Sequence, residues 1–267
     1  MDKREILQNE RPLTPGFIPE KLLHRQDKVR EIKDSIRPMI KGKKPENLFL
    51  CGPPGTCKSS RVKKALKELN DNSTASTVYV NAWNYDTRTS CYAKILHNLG
   101  VPMPRKGKPV DVLYDRIVEA ASKKRSLVIA VDEIDQLGAE MSKTLYDLAT
   151  LGDKENVKAG LIMIGCDPQA LTKLDRRVKS RLSPKTIEFP SYTEEELRDI
   201  LDAKVSEAFH QEAVSEQAIH MIAAFVANKS GDCRLALKIL MKAGRRANSK
   251  GLDRLQVSIL EETLESY

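Results

Sequence analysis

The sequence predicts an α/β fold on a parallel sheet, followed by a smaller all-helical domain. Three observations predict it. Short apolar runs bounded by turn residues alternate with longer segments of helical period up to about residue 190. The runs are nearly continuous in Val, Ile and Leu, as in strands buried on both faces. From Thr193 onward only helical patterns follow.

In order, the expected strands are Asn47–Cys51, Thr77–Ala82, Ser126–Asp132, Leu161–Cys166 and Thr186–Phe189. Helices are expected near 25–40, 58–70, 89–99, 110–123, 139–150 and 169–180, with loops at 70–76 and 101–109 (VPMPRKGKP). Thr193-Glu-Glu-Glu is a Thr cap followed by acids in the first turn, and it opens the helical part. Further helices are expected near 193–209, 215–229, 232–247 and 255–265. The expected domains are 1–190, α/β, and 191–267, helical; no internal repeat is visible.

At 267 residues with 40% hydrophobic and 31% charged side chains, the composition is that of a chain able to build its own core. No apolar run approaches the ~20 residues of a bilayer span. MDKREILQNERPLTP carries charges where a secretory signal has an apolar core, so an intracellular protein is expected. Cys51, Cys57, Cys91, Cys166 and Cys233 form no CxxC pair and read as free thiols of a reducing compartment. The four histidines are scattered, which argues against zinc, and no GxSxG elbow supports a serine hydrolase. The net charge of +8 favours a polyanionic partner. Basic residues concentrate at 21–44, 173–185 and 234–250, where a solvated helix face is the plainer reading of any single run.

Two segments carry chemistry. Gly52-Pro-Pro-Gly-Thr-Cys-Lys-Ser59 follows the first strand and leads into a helix, almost matching GxxxxGK[ST]. In such a loop, backbone N–H groups and the helix N-terminus cradle phosphates. Lys58 would reach the terminal phosphates and Ser59 would bind Mg²⁺, with Gly52, Gly55, Thr56 and Cys57 forming the loop. Cys57 stands where the pattern has glycine. A side chain there enters the required torsions at a cost of about 1–3 kcal/mol. Taken wholly from binding, that is roughly one to two powers of ten in affinity. A vestigial turn that keeps its shape and binds nothing is the alternative. The second segment, Leu127-Val-Ile-Ala-Val-Asp132-Glu133-Ile-Asp135, puts carboxylates at the edge of the sheet where α/β folds bind ligands. Asp132 would hold the Mg²⁺ shell and Glu133 would orient or deprotonate an attacking water.

With these motifs in place, residues 17–250 resemble the AAA+ ATPases, specifically replication initiators of the origin-recognition-complex type. Pro19-Glu-Lys-Leu-Leu-His24-Arg25 resembles the family's box before the nucleotide pocket, and Arg37-Pro-Met-Ile-Lys-Gly through Asn47-Leu its approach to the phosphate loop. Tyr79-Val-Asn-Ala-Trp-Asn-Tyr-Asp-Thr-Arg-Thr-Ser-Cys-Tyr92, ending at Leu99-Gly100, resembles the second strand and initiator-specific helix. The resemblance implies an AAA+ P-loop domain with a five-stranded parallel sheet, a helical lid, and ATP with Mg²⁺ between them. Within Arg177-Val-Lys-Ser-Arg181-Leu it implies an arginine reaching a neighbouring subunit's ATP, Arg181 ahead of Arg177; a basic helix end meeting solvent or DNA is the alternative. It places Tyr192 by the adenine, or in a hinge, and Lys204 at a nucleotide-contacting position. In Gly231-Asp-Cys-Arg234 it makes Arg234 a lid arginine touching the γ-phosphate, against an ordinary exposed arginine.

Two departures bear on turnover. Cys57 replaces the loop glycine, and Gly165-Cys166-Asp167 lacks the asparagine that positions water in the family, unless Asp167 substitutes. The family's usual C-terminal winged-helix domain is not among these residues, as in a short paralogue or a fragment. The expectation is therefore an ATP-binding protein of DNA replication initiation with slow hydrolysis, cytoplasmic in an archaeal setting, with a nuclear location as the alternative. Its expected partners are other initiator-family subunits, or a copy of itself, met through Arg181; the other reading is a hydrolysis-deficient scaffold that pairs with an active initiator and lends it Arg181. A clamp-loader-like or transposition ATPase is a third, against which residues 79–100 speak. DNA contact is expected to be weak and mostly to backbone phosphate, through the basic run at 21–44 and Thr87, Arg88 and Thr89.

Overall fold

The computed structural model describes residues 5–14, 16–17, 23–101, 107–124, 126–154 and 156–267. Much of the expected loop at 101–109 and of the box at 19–25 lies outside the described residues. The chain divides into two compact units, Asp27–Gly52 with Lys58–Phe189, and Met1–Gln26 with Pro53–Cys57 and Pro190–Tyr267.

The first unit holds strands β1 (Leu48–Cys51), β2 (Ser76–Asn81), β3 (Leu127–Asp132), β4 (Ala159–Ile164) and β5 (Lys185–Glu188). All pairs are parallel, in the order β2-β3-β4-β1-β5. The three central strands are buried at every residue, whereas the edges β2 and β5 are partly exposed. That is why the inner strands read as unbroken apolar runs.

Side chains alternate across the sheet. On one face Phe49, Val80, Val131 and Met163 pack with Ile95 of α3 (Arg88–Asn98), Ile117 of α4 (Val110–Ser122), Leu145 of α5 (Met141–Thr150) and Leu182 of α6 (Arg176–Leu182). On the other, Leu50, Ala130 and Ile162 meet Ile32 of α1 (Gln26–Ile36) and Val62 of α2 (Lys58–Asn72).

Three expected elements differ in detail. The helix expected at 25–40 ends at Ile36; a 3₁₀ turn carrying Pro38 runs to Lys41 and stops at left-handed Gly42. The helix expected at 169–180 is broken into a 3₁₀ turn, Ala170–Lys173, and α6. There the Asp175 side chain accepts the Arg177 N–H and starts a new helix. The fourth strand begins two residues before the expected Leu161. Ala159 and Gly160 pair with Leu127 and Val128, and a Cβ at Gly160 would stand 2.1 Å from Pro45 Cγ.

The second unit packs α7 (Glu194–Ala208), α8 (Glu216–Lys229), α9 (Cys233–Ser249) and α10 (Val257–Leu264) around Leu197, Ile222, Ile239 and Leu260. Thr193 and Glu196 form the capping box that opens α7. Residues from the N-terminus, read from sequence as part of the α/β domain, belong to this unit. Leu7 bridges Phe209, the Asn248 side chain takes the Ile6 and Leu7 N–H groups, and Glu10 pairs with Arg245. Among the described residues no helix is long and apolar enough to cross a membrane.

Candidate phosphate-binding site

The end of β1 and the start of α2 shape the site. Gly52 leaves the sheet at φ 137°, and a Cβ there would stand 2.1 Å from the Phe189 carbonyl oxygen. Six residues on, Lys58 is buried and its Nζ donates to the Gly52 carbonyl at 2.6 Å, closing the loop on itself.

Asp132 is buried at the end of β3. Its carboxylate takes the Glu133 N–H at 2.9 Å on Oδ1 and the Tyr79 hydroxyl on Oδ2. The same tyrosine hydroxyl is hydrogen-bonded to Ser59, so one residue of β2 ties together the two side chains expected to hold Mg²⁺. Burial first, and then the Asp132 charge, drive the Tyr79 hydroxyl well above its ordinary range, so it stays a neutral donor. Ser59 and Asp132 supply the hard oxygen donors that Mg²⁺ takes beside phosphate oxygens, and the donor set fits that ion. Tyr79→Phe removes one donor from the buried Asp132 carboxylate. It should cost about 1–3 kcal/mol, a few degrees in melting temperature, read by thermal unfolding.

Glu133 itself is held at φ 56°, ψ 48°, left-handed for a non-glycine residue. Strain of this kind is concentrated at functional positions. Next to it, Asp135 Oδ2 accepts the Cys166 N–H at 3.2 Å. Asp167 is committed locally, accepting the Gln169 N–H at 2.8 Å and pairing with Lys173.

Gly52, Lys58, Ser59, Asp132 and Glu133 thus gather at one edge of the sheet with Tyr79, which in the sequence is only one residue of the longer segment Tyr79–Tyr92. Its alternation with Val78 and Val80 marks it as the residue on the opposite face from them, the signal that was there to use. Arg177 and Arg181 lie on α6. Arg181 pairs with Asp153, and the Arg177 N–H serves the Asp175 cap. Near the expected DNA-facing segment, Thr87 caps α3, and Arg88 pairs with Asp147 at 2.5 Å, so both have structural partners.

In the helical unit, Thr56 is buried and its Oγ1 donates to the Pro53 carbonyl at 2.9 Å. Gly55, at φ 76°, lies so close to Asp232 that a Cβ would stand 1.7 Å from its Oδ1. Cys57 adopts φ 64°, the left-handed conformation its position demands. Tyr192 is buried with the Arg25 guanidinium 4.7 Å above its ring, while Arg25 also pairs with Glu196 at 2.5 Å. Lys204 is buried, 2.7 Å from Glu207, its Nζ 4.7 Å from the Phe17 ring centre. Arg234 is 56% exposed, held loosely at 3.6 Å from Asp232.

A five-stranded parallel sheet of this order, with a phosphate-type loop after β1 and acids after β3, defines an AAA+ type nucleotide-binding fold. Residues 41–174 match the AAA domain model, and 198–263 match the Cdc6 AAA+ ATPase-type lid domain. An ORC1-type DNA replication protein 1 of Sulfurisphaera tokodaii is 34% identical over 262 residues, 96% of this chain and 66% of that protein. An ORC1-type DNA replication protein of Thermococcus kodakarensis is 30% identical over 282 residues, 98% of this chain and 68% of that protein. Among solved structures, the Aeropyrum pernix ORC1 protein in complex with DNA superposes with a TM-score of 0.90 at 28% identity, over 98% of this chain and 70% of that one. The chain belongs to the ORC1/Cdc6-type replication initiator family of AAA+ proteins. It spans about two thirds of the length of the first of these relatives.

Proposed function

We propose that the chain binds ATP with Mg²⁺ through residues 52–59 and acts in DNA replication initiation. The observation that carries the reading is the closed loop, Lys58 on the Gly52 carbonyl, beside Ser59 and Asp132 joined through Tyr79. In this reading the loop amides of Gly55, Thr56 and Cys57 hold phosphate oxygens, and Lys58 turns from the Gly52 carbonyl to the terminal phosphates. Ser59 and Asp132 would hold Mg²⁺, which would supply neutralisation of phosphate charge. Glu133 takes the proton of the attacking water or orients it.

The α/β domain and the lid would enclose the nucleotide, with Tyr192 by the adenine, Lys204 in contact with the nucleotide and Arg234 at the γ-phosphate. Arg181, with Arg177 behind it, would serve a neighbouring subunit's ATP once it leaves Asp153. DNA contact is proposed through backbone phosphates, by the basic run at 21–44 and Thr89, since Thr87 and Arg88 are committed within the fold, with the exposed Trp83 as a further surface residue. The relatives are archaeal replication proteins, which favours a cytoplasmic site of action.

A second reading, a hydrolysis-deficient subunit that pairs with an active initiator, is favoured by Cys166 and the locally committed Asp167. The test is titration of ATP·Mg²⁺ into the wild type and Lys58→Ala, followed by a hydrolysis assay. Binding lost in the variant supports the nucleotide reading. Binding without turnover supports the second, and no binding in the wild type removes the first.

A further inference from the structure

The geometry points to an oxidisable dithiol, Cys57 with Cys233, that closes the phosphate loop onto the N-terminus of α9 when a low-molecular-weight disulfide of the glutathione class reacts with it. Cys57 is the residue that departs from the glycine of the loop pattern, and Cys233 is the first residue of α9. Their side chains are hydrogen-bonded and belong to one apolar cluster.

A second contact fixes the two backbones in the same place. Gly55, two residues before Cys57, has its Cα against the carboxylate of Asp232, the residue before Cys233. That carboxylate is held in turn by the Arg234 and Leu235 N–H groups at 2.7 and 3.3 Å. The approach is therefore anchored by the cap of α9. A disulfide needs Cα atoms about 4.4–6.8 Å apart, and the link requires these two anchored turns to come within that span.

The five thiols are not equivalent. Cys51 and Cys91 are buried, and burial raises both, Cys91 to about 12. Cys166 is exposed, but its N–H contact is to Asp135 and no other cysteine lies beside it in sequence. The Cys57 contact and then burial push the Cys233 thiol well above its ordinary range, so it does not react first. Cys57 is half-buried, and is thus the more accessible thiol of the pair.

The chemistry balances without another reactant. Cys57 loses its proton to water and its thiolate attacks one sulfur of the small disulfide, expelling one thiolate. Cys233 then gives up its proton, with the Lys204 charge nearby favouring the thiolate, and attacks the Cys57 sulfur. The second small thiolate leaves. The protein pair is oxidised by two electrons and the small disulfide is reduced to two thiols.

The consequence, unlike the bond, rests on residues 52–59 being a phosphate loop. The loop already lies against the Asp232 carboxylate; a linked Cys57 would fix it there, so that it cannot move away to admit phosphate oxygens.

The test treats dilute wild-type protein with oxidised glutathione, alkylates the remaining thiols, and maps peptides by mass spectrometry, with and without ATP·Mg²⁺. The expected result is loss of two of the five thiols, one peptide pair linked through Cys57 and Cys233, and reversal by dithiothreitol. Cys57→Ser and Cys233→Ser should each abolish the linked pair. Nucleotide at about ten times its dissociation constant should slow linking about tenfold. Mixed disulfides at Cys57 or Cys166 without the linked pair overturn the dithiol site, even if ATP binds. A linked pair that forms at the same rate with nucleotide present upholds the site and overturns the phosphate-loop reading instead.

Discussion

Lys58→Ala should weaken ATP·Mg²⁺ binding by roughly thirty- to several-thousandfold. The ammonium is buried and faces the inside of the loop, donating at 2.6 Å to the Gly52 carbonyl. A phosphate oxygen is a far better partner for a buried cation than a neutral carbonyl is. Truncating one member of a buried charge pair costs about 2–5 kcal/mol, which is the range of affinity loss given above. The fold should survive, because Lys58 lies in the loop and at the first residue of α2, outside the apolar clusters that pack the sheet. Lys58→Met separates the two roles by keeping an unbranched stem in the buried slot while removing the charge. It should lose affinity as fully as alanine yet melt closer to the wild type. Calorimetric titration and thermal unfolding of the three proteins decide this. Equal ATP affinity in all three would mean that the loop closes on its own carbonyl and serves only as a turn.

Much of this site is local in sequence, and that is why it is legible there. Lys58 reaches Gly52 within a single loop, and Asp132 and Glu133 lie at the end of one apolar run. The central strands β1, β3 and β4 are buried on both faces, so their runs are unbroken and need no knowledge of neighbours. What could not be read depends on contacts between distant segments. Tyr79 and Asp132 are brought together only by the β2–β3 register, and Arg25 finds Glu196 and Tyr192 far along the chain. The N-terminal residues carry no pattern announcing that Leu7 will bridge Phe209. Cys57 and Cys233 look like unrelated thiols until the helical unit brings residues 53–57 to the start of α9. Conversely, Thr87 and Arg88 look suited to phosphate contacts in sequence, while in the structure one caps α3 and the other is spent on Asp147.

Gly52→Ala should destabilise the protein by about 2–6 kcal/mol, combining backbone strain with forced displacement of packed neighbours. At 2–4 °C per kcal/mol for a chain of this size, the melting temperature should fall by roughly 5–20 °C. The clash is with main chain, so no side chain can turn away. A Cβ would stand 2.1 Å from the Phe189 oxygen and 2.9 Å from its carbonyl carbon. Phe189 is held from the other side, its N–H donating to the Cys51 carbonyl at 2.9 Å and its ring buried. Relief therefore means parting the ends of β1 and β5, the edge pair that carries the loop, and shifting the carbonyl that receives Lys58. Gly100→Ala isolates the conformational part of the penalty. Gly100 also has a positive φ, 83°, but a Cβ there meets nothing within 4 Å, so its cost should be about 1 kcal/mol. Urea unfolding of both variants gives the difference. If the two cost the same, the approach of Gly52 to Phe189 is not tight, and the loop is held by Lys58 and the α2 N-terminus alone.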